Sequence, residues 1–73
     1  MTMSLGQFIT KRREELGYGK IQFAKLIDVG SDSLLRWERD RFIPAGKNRR
    51  ALIDMLKFTP EEVNLYFRGN RYG

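Results

Sequence analysis

Residues 20–39 read KIQFAKLIDVGSDSLLRWER, and this stretch decides the fold. Phe23, Ala24 and Ile27 recur at helical spacing and form the inward stripe of a short helix from Lys20 to Ile27, with Leu26 alongside. Asp28-Val29-Gly30 then ends it tightly, because Asp accepts left-handed backbone better than most residues and Gly accepts it best. A second helix runs from Ser31 to Arg39 and buries Leu34 and Trp37. Asp32 and Ser33 in its first turn suit the positive end of the helix dipole. Two helices joined by a three-residue turn, with a small residue inside the first, describe a helix-turn-helix. Ala24 must be small because the second helix crosses close to it. Val29 plugs the turn from beneath, and Ile27, Leu34 and Trp37 lock the two helices at a fixed angle.

Working outward, the N-terminal segment marks its own start. Ser4 with Gln7 fits a capping box, and Met3 with Phe8 fits the hydrophobic staple around it. Leu5, Phe8, Ile9 and Leu16 share one helical face, and Gly17 supplies the stop. Arg12 sits near that face, so its stem is expected to pack while its head reaches water. Gly17-Tyr18-Gly19 separates this helix from the next. On the other side, Arg41 to Gly46 reads as a loop, since Pro44 disfavours helix in the residue before it. Leu52, Ile53 and Leu56 mark a fourth helix from near Lys47. Thr59-Pro60-Glu61-Glu62 starts a fifth: Thr caps, Pro fits the first position and Glu62 closes the box. Val63, Tyr66 and Phe67 follow at helical spacing up to Gly69. The expected fold is all-α, a compact five-helix bundle forming a single domain over residues 1–69, with a frayed tail at residues 70–73 that includes Tyr72.

Composition narrows the chemistry. Seventy-three residues allow one domain, with every large apolar side chain committed to one small core. On that reading there is no room for a built-in peptidase or sensing module, so regulation is expected through concentration, partners or proteolysis. With no cysteine and no histidine, disulfides, thiolate metal sites and the commonest general base are all excluded. The remaining enzymatic option is carboxylate chemistry. Glu14-Glu15 and Glu61-Glu62 are adjacent in sequence and so point in different directions on a helix, and the second pair is accounted for by capping. No enzyme, cofactor or metal is expected. Apolar runs are far too short for a membrane span, no secretory segment follows the N-terminus, and a basic membrane-surface helix at residues 47–58 is better read as a core helix with one apolar face. The expected location is the cytoplasm of a bacterial or phage-infected cell.

The net charge is +5 and the pI about 10.0, a balance that favours polyanionic partners and nucleic acid first among them. Surface solubility would explain the total equally well; the distribution says more. Arg36, Arg39, Arg41, Lys47, Arg49 and Arg50 crowd one stretch, interrupted by Glu38 and Asp40.

Residues 17–44, GYGKIQFAKLIDVGSDSLLRWERDRFIP, resemble the Cro/C1-type (XRE-like) helix-turn-helix family of phage and bacterial repressors. The likeness runs ungapped through Phe23-Ala24, Val29, Leu34, Arg36-Trp37-Glu38 and Pro44, and the flanking helices extend it over nearly the whole chain. It implies a five-helix DNA-binding domain in which Arg13, late in the first helix, pairs with Glu38 to hold helices together. It also implies DNA-facing roles for Lys20, where the family usually has glutamine, for Ser31, Asp32, Leu35 and Arg36 on the reading helix, and for Arg39 and Arg41 near the flanking backbone. Arg36 is the candidate for a bidentate guanine contact, Ser31 for either hydrogen-bonding role and Asp32 for accepting from cytosine N4. Lys20, Arg39 and Arg41 would supply register and salt-dependent affinity. Dimerisation on a two-fold operator follows the family's habit, with Tyr66 and Phe67 as contact candidates. The chain departs from the pattern with Gly19 and Gly30 where Ser is common and Asp28 at the usual turn glycine.

Two functions are therefore expected from different classes. The first is a transcription regulator, repressor-like and from a phage or mobile-element switch, that reads double-stranded operator DNA with helix 31–39. The second is an antirepressor or modulator that keeps the fold and binds a partner repressor protein. Asp32, Leu35, Arg36 and Arg39 make a mixed face suited to a repressor's own basic reading surface, with Asp32 pairing to its Lys or Arg.

Overall fold

The computed structural model describes residues 3–68; the tail at 70–73, Tyr72 included, lies outside them. Five helices make up these residues, and no strand is found among them. They are α1 (Leu5–Glu15), α2 (Lys20–Leu26), α3 (Ser31–Glu38), α4 (Gly46–Met55) and α5 (Pro60–Val63), the last continuing as a π-helical segment, Asn64–Arg68. Phe23 and Leu34 are almost wholly enclosed, as are Ile9, Leu52 and Leu56 from the flanking helices. Each such side chain contributes about 1.5–3 kcal/mol through removal from water. Phe8, Ile27, Trp37, Phe58 and Phe67 complete the same cluster, and Val29 packs half-buried against it.

Both predicted capping boxes close. The Gln7 amide donates to Ser4 Oγ at 3.1 Å and the Ser4 amide to Gln7 Oε1 at 3.0 Å. The Glu62 amide donates to Thr59 Oγ1 at 3.1 Å and the Thr59 amide to Glu62 Oε1 at 2.9 Å. α2 has a half-box that the sequence reading passed over, with the Gly19 amide 3.4 Å from Gln22 Oε1.

The helix ends share one device. After α1, α2, α3 and α4 the next residue but one turns left-handed: Gly17, Asp28, Asp40 and Lys57, with φ of 84°, 58°, 59° and 56°. The amide beyond each reaches back five residues, Tyr18 to Arg13, Val29 to Ala24, Arg41 to Arg36 and Phe58 to Ile53, at 2.8–3.1 Å. These bonds occupy carbonyls that a helix end would otherwise leave unpaired. Gly46 is also left-handed, φ 59°, so ordinary helical backbone in α4 begins at Lys47, as the spacing predicts.

α1 packs most extensively on α3, and Gly6 explains how. A Cβ on Gly6 would lie 2.7 Å from the Trp37 carbonyl oxygen and closer still to that of Glu38. Only hydrogen fits there. Asp40 secures the approach, its carboxylate accepting from the Gly6 amide at 2.8 Å.

Three expectations change. Leu26 is 51 % exposed: α2 packs extensively only on α3, so its inward stripe is just wide enough for Phe23, Ala24 and Ile27. The Arg12 head is held by the protein rather than left to solvent, with its side chain only 20 % exposed. It donates to the carbonyls of Leu56 (2.9 Å) and Lys57 (3.1 Å) and to Glu62 (2.8 Å), which satisfies the C-terminal end of α4 with a cation. The last helix widens into a π turn, in which Tyr66 stacks on Phe8 at 4.8 Å and Phe67 meets Phe58 at 5.6 Å.

Candidate nucleic-acid interface

The α2–turn–α3 unit is braced from behind. Arg13, near the end of α1, donates from Nε to Glu38 at 2.8 Å and from Nη1 to the Tyr18 carbonyl at 2.8 Å. The Arg13 and Glu38 side chains are 4 % and 5 % exposed. One ion pair thus joins α1, the α1–α2 connection and the last residue of α3. Among the described residues no buried side-chain polar atom lacks a partner, the condition under which a buried pair is tolerable at all.

The opposite side of α3 has a different character. Asp32, Leu35, Arg36, Arg39, Arg41 and Phe42 line an open depression of about 410 Å³. Five of the seven residues expected at the site therefore meet in one place. Lys20, at the start of α2, and Ser31, at the start of α3, are exposed but do not line it. Arg36, Arg39 and Arg41 are exposed, and no ion pair among the described residues engages them. Leu35 is half-buried rather than a free apolar knob. Asp32 stands in the first turn of α3, where a carboxylate is favoured by the amides that Gly30, having no side chain, leaves uncapped.

Phe42 was not among the expected site residues. It is 60 % exposed, and the Arg36 guanidinium carbon lies 5.7 Å from its ring centroid. The reversal after α3 accounts for this neighbourhood. With Asp40 left-handed, the Arg41 amide bonds the Arg36 carbonyl at 2.8 Å, which ties the loop to the turn that carries Arg36. An aromatic between an arginine and a loop proline, belonging to no helical stripe, was the available signal.

The basic run divides in space. Arg36, Arg39 and Arg41 belong to the depression, whereas Lys47, Arg49 and Arg50 line a second groove of about 800 Å³ with Ile53, Val63 and Phe67. The Arg49 guanidinium lies 5.8 Å over the Phe67 ring. Phe67 itself is 3 % exposed, so its surface is spent within the chain and little is left to offer a second copy. Tyr66 is half-buried, and its phenol is pushed up by desolvation and by the nearby Glu62 charge.

Three further carboxylates stand beside cations or helix-start amides. The Thr59 amide and the Arg12 guanidinium hold the Glu62 carboxyl below its ordinary pKa against a smaller opposing effect of burial. Glu14 and Glu15 lie beside Arg13 and Lys11 respectively. No group of three metal-ligating side chains occurs among the described residues, and no described helix is long and apolar enough to cross a membrane. No protein-family model, curated protein or solved structure matches this chain.

Proposed function

We propose that this chain is a DNA-binding transcription regulator of the Cro/C1 helix-turn-helix type, repressor-like, acting in a phage or mobile-element switch. The observation that carries the reading is the depression beside α3, where three arginines without ion-pair partners among the described residues stand around Leu35 and Asp32. Clustered, exposed cations suit a polyanion, and a helix is the element that fits the major groove. In this reading α3 enters the groove with Arg36 bidentate to guanine, Leu35 against a thymine methyl and Asp32 accepting from cytosine N4. Lys20, Arg39 and Arg41 grip phosphate, with Ser31 at the tip of the reading helix. The chain works on a two-fold operator as a homodimer, since one such module offers limited contact area.

The test is selection from random duplexes across a salt series. A palindromic site should be enriched, with log affinity falling linearly in log salt. Lys20→Ala should flatten that slope by about one unit, and Arg36→Ala should cost about ten- to a hundredfold at its base pair. Weak, unselective binding at low salt would sink the reading.

One observation favours a second reading. Phe42 is 60 % exposed beside a half-buried Leu35, with Asp32 on the same depression. An apolar floor with an acidic edge also suits the basic reading surface of a partner repressor, which makes the chain an antirepressor or modulator. Asp32→Lys separates the two: it should raise non-specific DNA affinity under the first and abolish capture of the repressor under the second.

A further inference from the structure

We propose that Phe42 is a positioning residue for Arg36, its ring fixing the guanidinium so that the N–H fork is presented to a guanine edge. This rests on the DNA-binding reading above. An arginine on an exposed helix face samples many rotamers, and ordering it on a base costs entropy that weakens discrimination. Among the described residues Arg36 has no ion-pair partner to restrain it. The guanidinium carbon stands 5.7 Å from the Phe42 centroid, within the roughly 6 Å reach of a cation–π contact. Phe42 is 60 % exposed, so the core does not require its ring. The backbone fixes where the ring lies: Asp40 at φ 59° reverses the chain, and the Arg41 amide bonds the Arg36 carbonyl at 2.8 Å. Leu35 lines the same depression and continues the apolar wall. A flat cation laid against that wall keeps its edge donors free for N7 and O6 of guanine.

The experiment uses the duplex selected by the wild-type protein and the same duplex with 7-deazaguanine at the Arg36-dependent position, which removes the N7 acceptor alone. F42A should weaken binding about two- to fivefold, and its loss on 7-deazaguanine should be smaller than that of the wild type. F42W, which offers a better ring face, should retain both affinity and discrimination. F42L keeps apolar bulk without the ring and should behave as F42A. The salt slope and the thermal unfolding midpoint should match wild type in all three variants, because no charge and no core side chain is removed. Wild-type discrimination in F42L, or in F42A, would overturn the positioning role while leaving DNA binding intact. A wild-type protein that enriches no sequence would overturn the DNA-binding reading, and this role with it.

Discussion

α3 has two sides that treat charge in opposite ways. Toward α1, Arg13 and Glu38 are paired at 2.8 Å, the Gly6 amide is held by Asp40, and the helices touch backbone to backbone with no room for a methyl group. Toward solvent, Arg36, Arg39 and Arg41 stand around an open depression whose lining includes one acidic residue, Asp32. The same short helix is therefore anchored by charges that are satisfied and advertises charges that are not. Under the proposed function stability and binding separate by face, and substitutions should report one or the other.

The largest effect is expected at the buried pair. Glu38→Ala leaves the Arg13 guanidinium enclosed without its carboxylate and should cost about 3–5 kcal/mol by urea denaturation, most of the stability of a chain this size. Gly6→Ala should cost about 2–3 kcal/mol, because the backbone carbonyls of α3 cannot move aside as a flexible side chain would. On the solvent side, Arg39→Ala should leave the unfolding midpoint unchanged while weakening DNA binding by about the same factor on every sequence and lowering the salt slope by about one. Unchanged binding with altered stability would erase the division between the faces.

Smaller effects sharpen it. Lys57→Gly relieves a left-handed residue, keeps the backbone carbonyl that accepts from Arg12, and should stabilise by about 0.5–1 kcal/mol. Asp40→Gly relieves the same backbone strain but removes the cap on Gly6, so its gain should vanish or reverse. Equal gains at both positions would show that the Asp40 bond contributes nothing. Glu62 adds a pH signature. Its folded-state pKa lies below the ordinary 4.5, so its contribution is complete above that value and is lost as pH falls through the lower folded value. Glu62→Gln should therefore remove part of the fall in urea midpoint below pH 4.5 and leave the midpoint at neutral pH only slightly lower.

Local signals were readable, and distant ones were not. Ser4 with Gln7 and Thr59 with Glu62 identify helix starts because both partners lie within one turn. Phe23, Ala24 and Ile27 identify a buried stripe because periodicity is itself local. The Arg13–Glu38 pair, far apart in the chain, was legible only through the family resemblance. Gly6 looked like an ordinary helical residue, and Asp40 like an interruption in a basic run; their bond spans 34 positions, and no pattern in either neighbourhood announces it. Arg12 and Leu26 went astray for a related reason. Whether a side chain on the flank of a stripe is covered depends on which other helix lies there. At the candidate site, Asp32, Leu35, Arg36, Arg39 and Arg41 were legible from helical register and resemblance, whereas Phe42 joins them only because the chain reverses after α3.

The four left-handed reversals also bear on how quickly the chain finds its shape. Each helix end is closed by an amide only five residues away, so the places where helices stop are decided before any distant segment arrives. What remains is the docking of short preformed pieces, with the α1–α3 seam as the long-range contact that must be searched for. Chains dominated by such near-neighbour contacts fold on the microsecond to millisecond scale. The α1–α3 seam joins Gly6 to Asp40 and Arg13 to Glu38. The arginine face, by contrast, is drawn from residues 32–42 alone and is tied by the bond from the Arg41 amide to the Arg36 carbonyl, so it needs no distant segment.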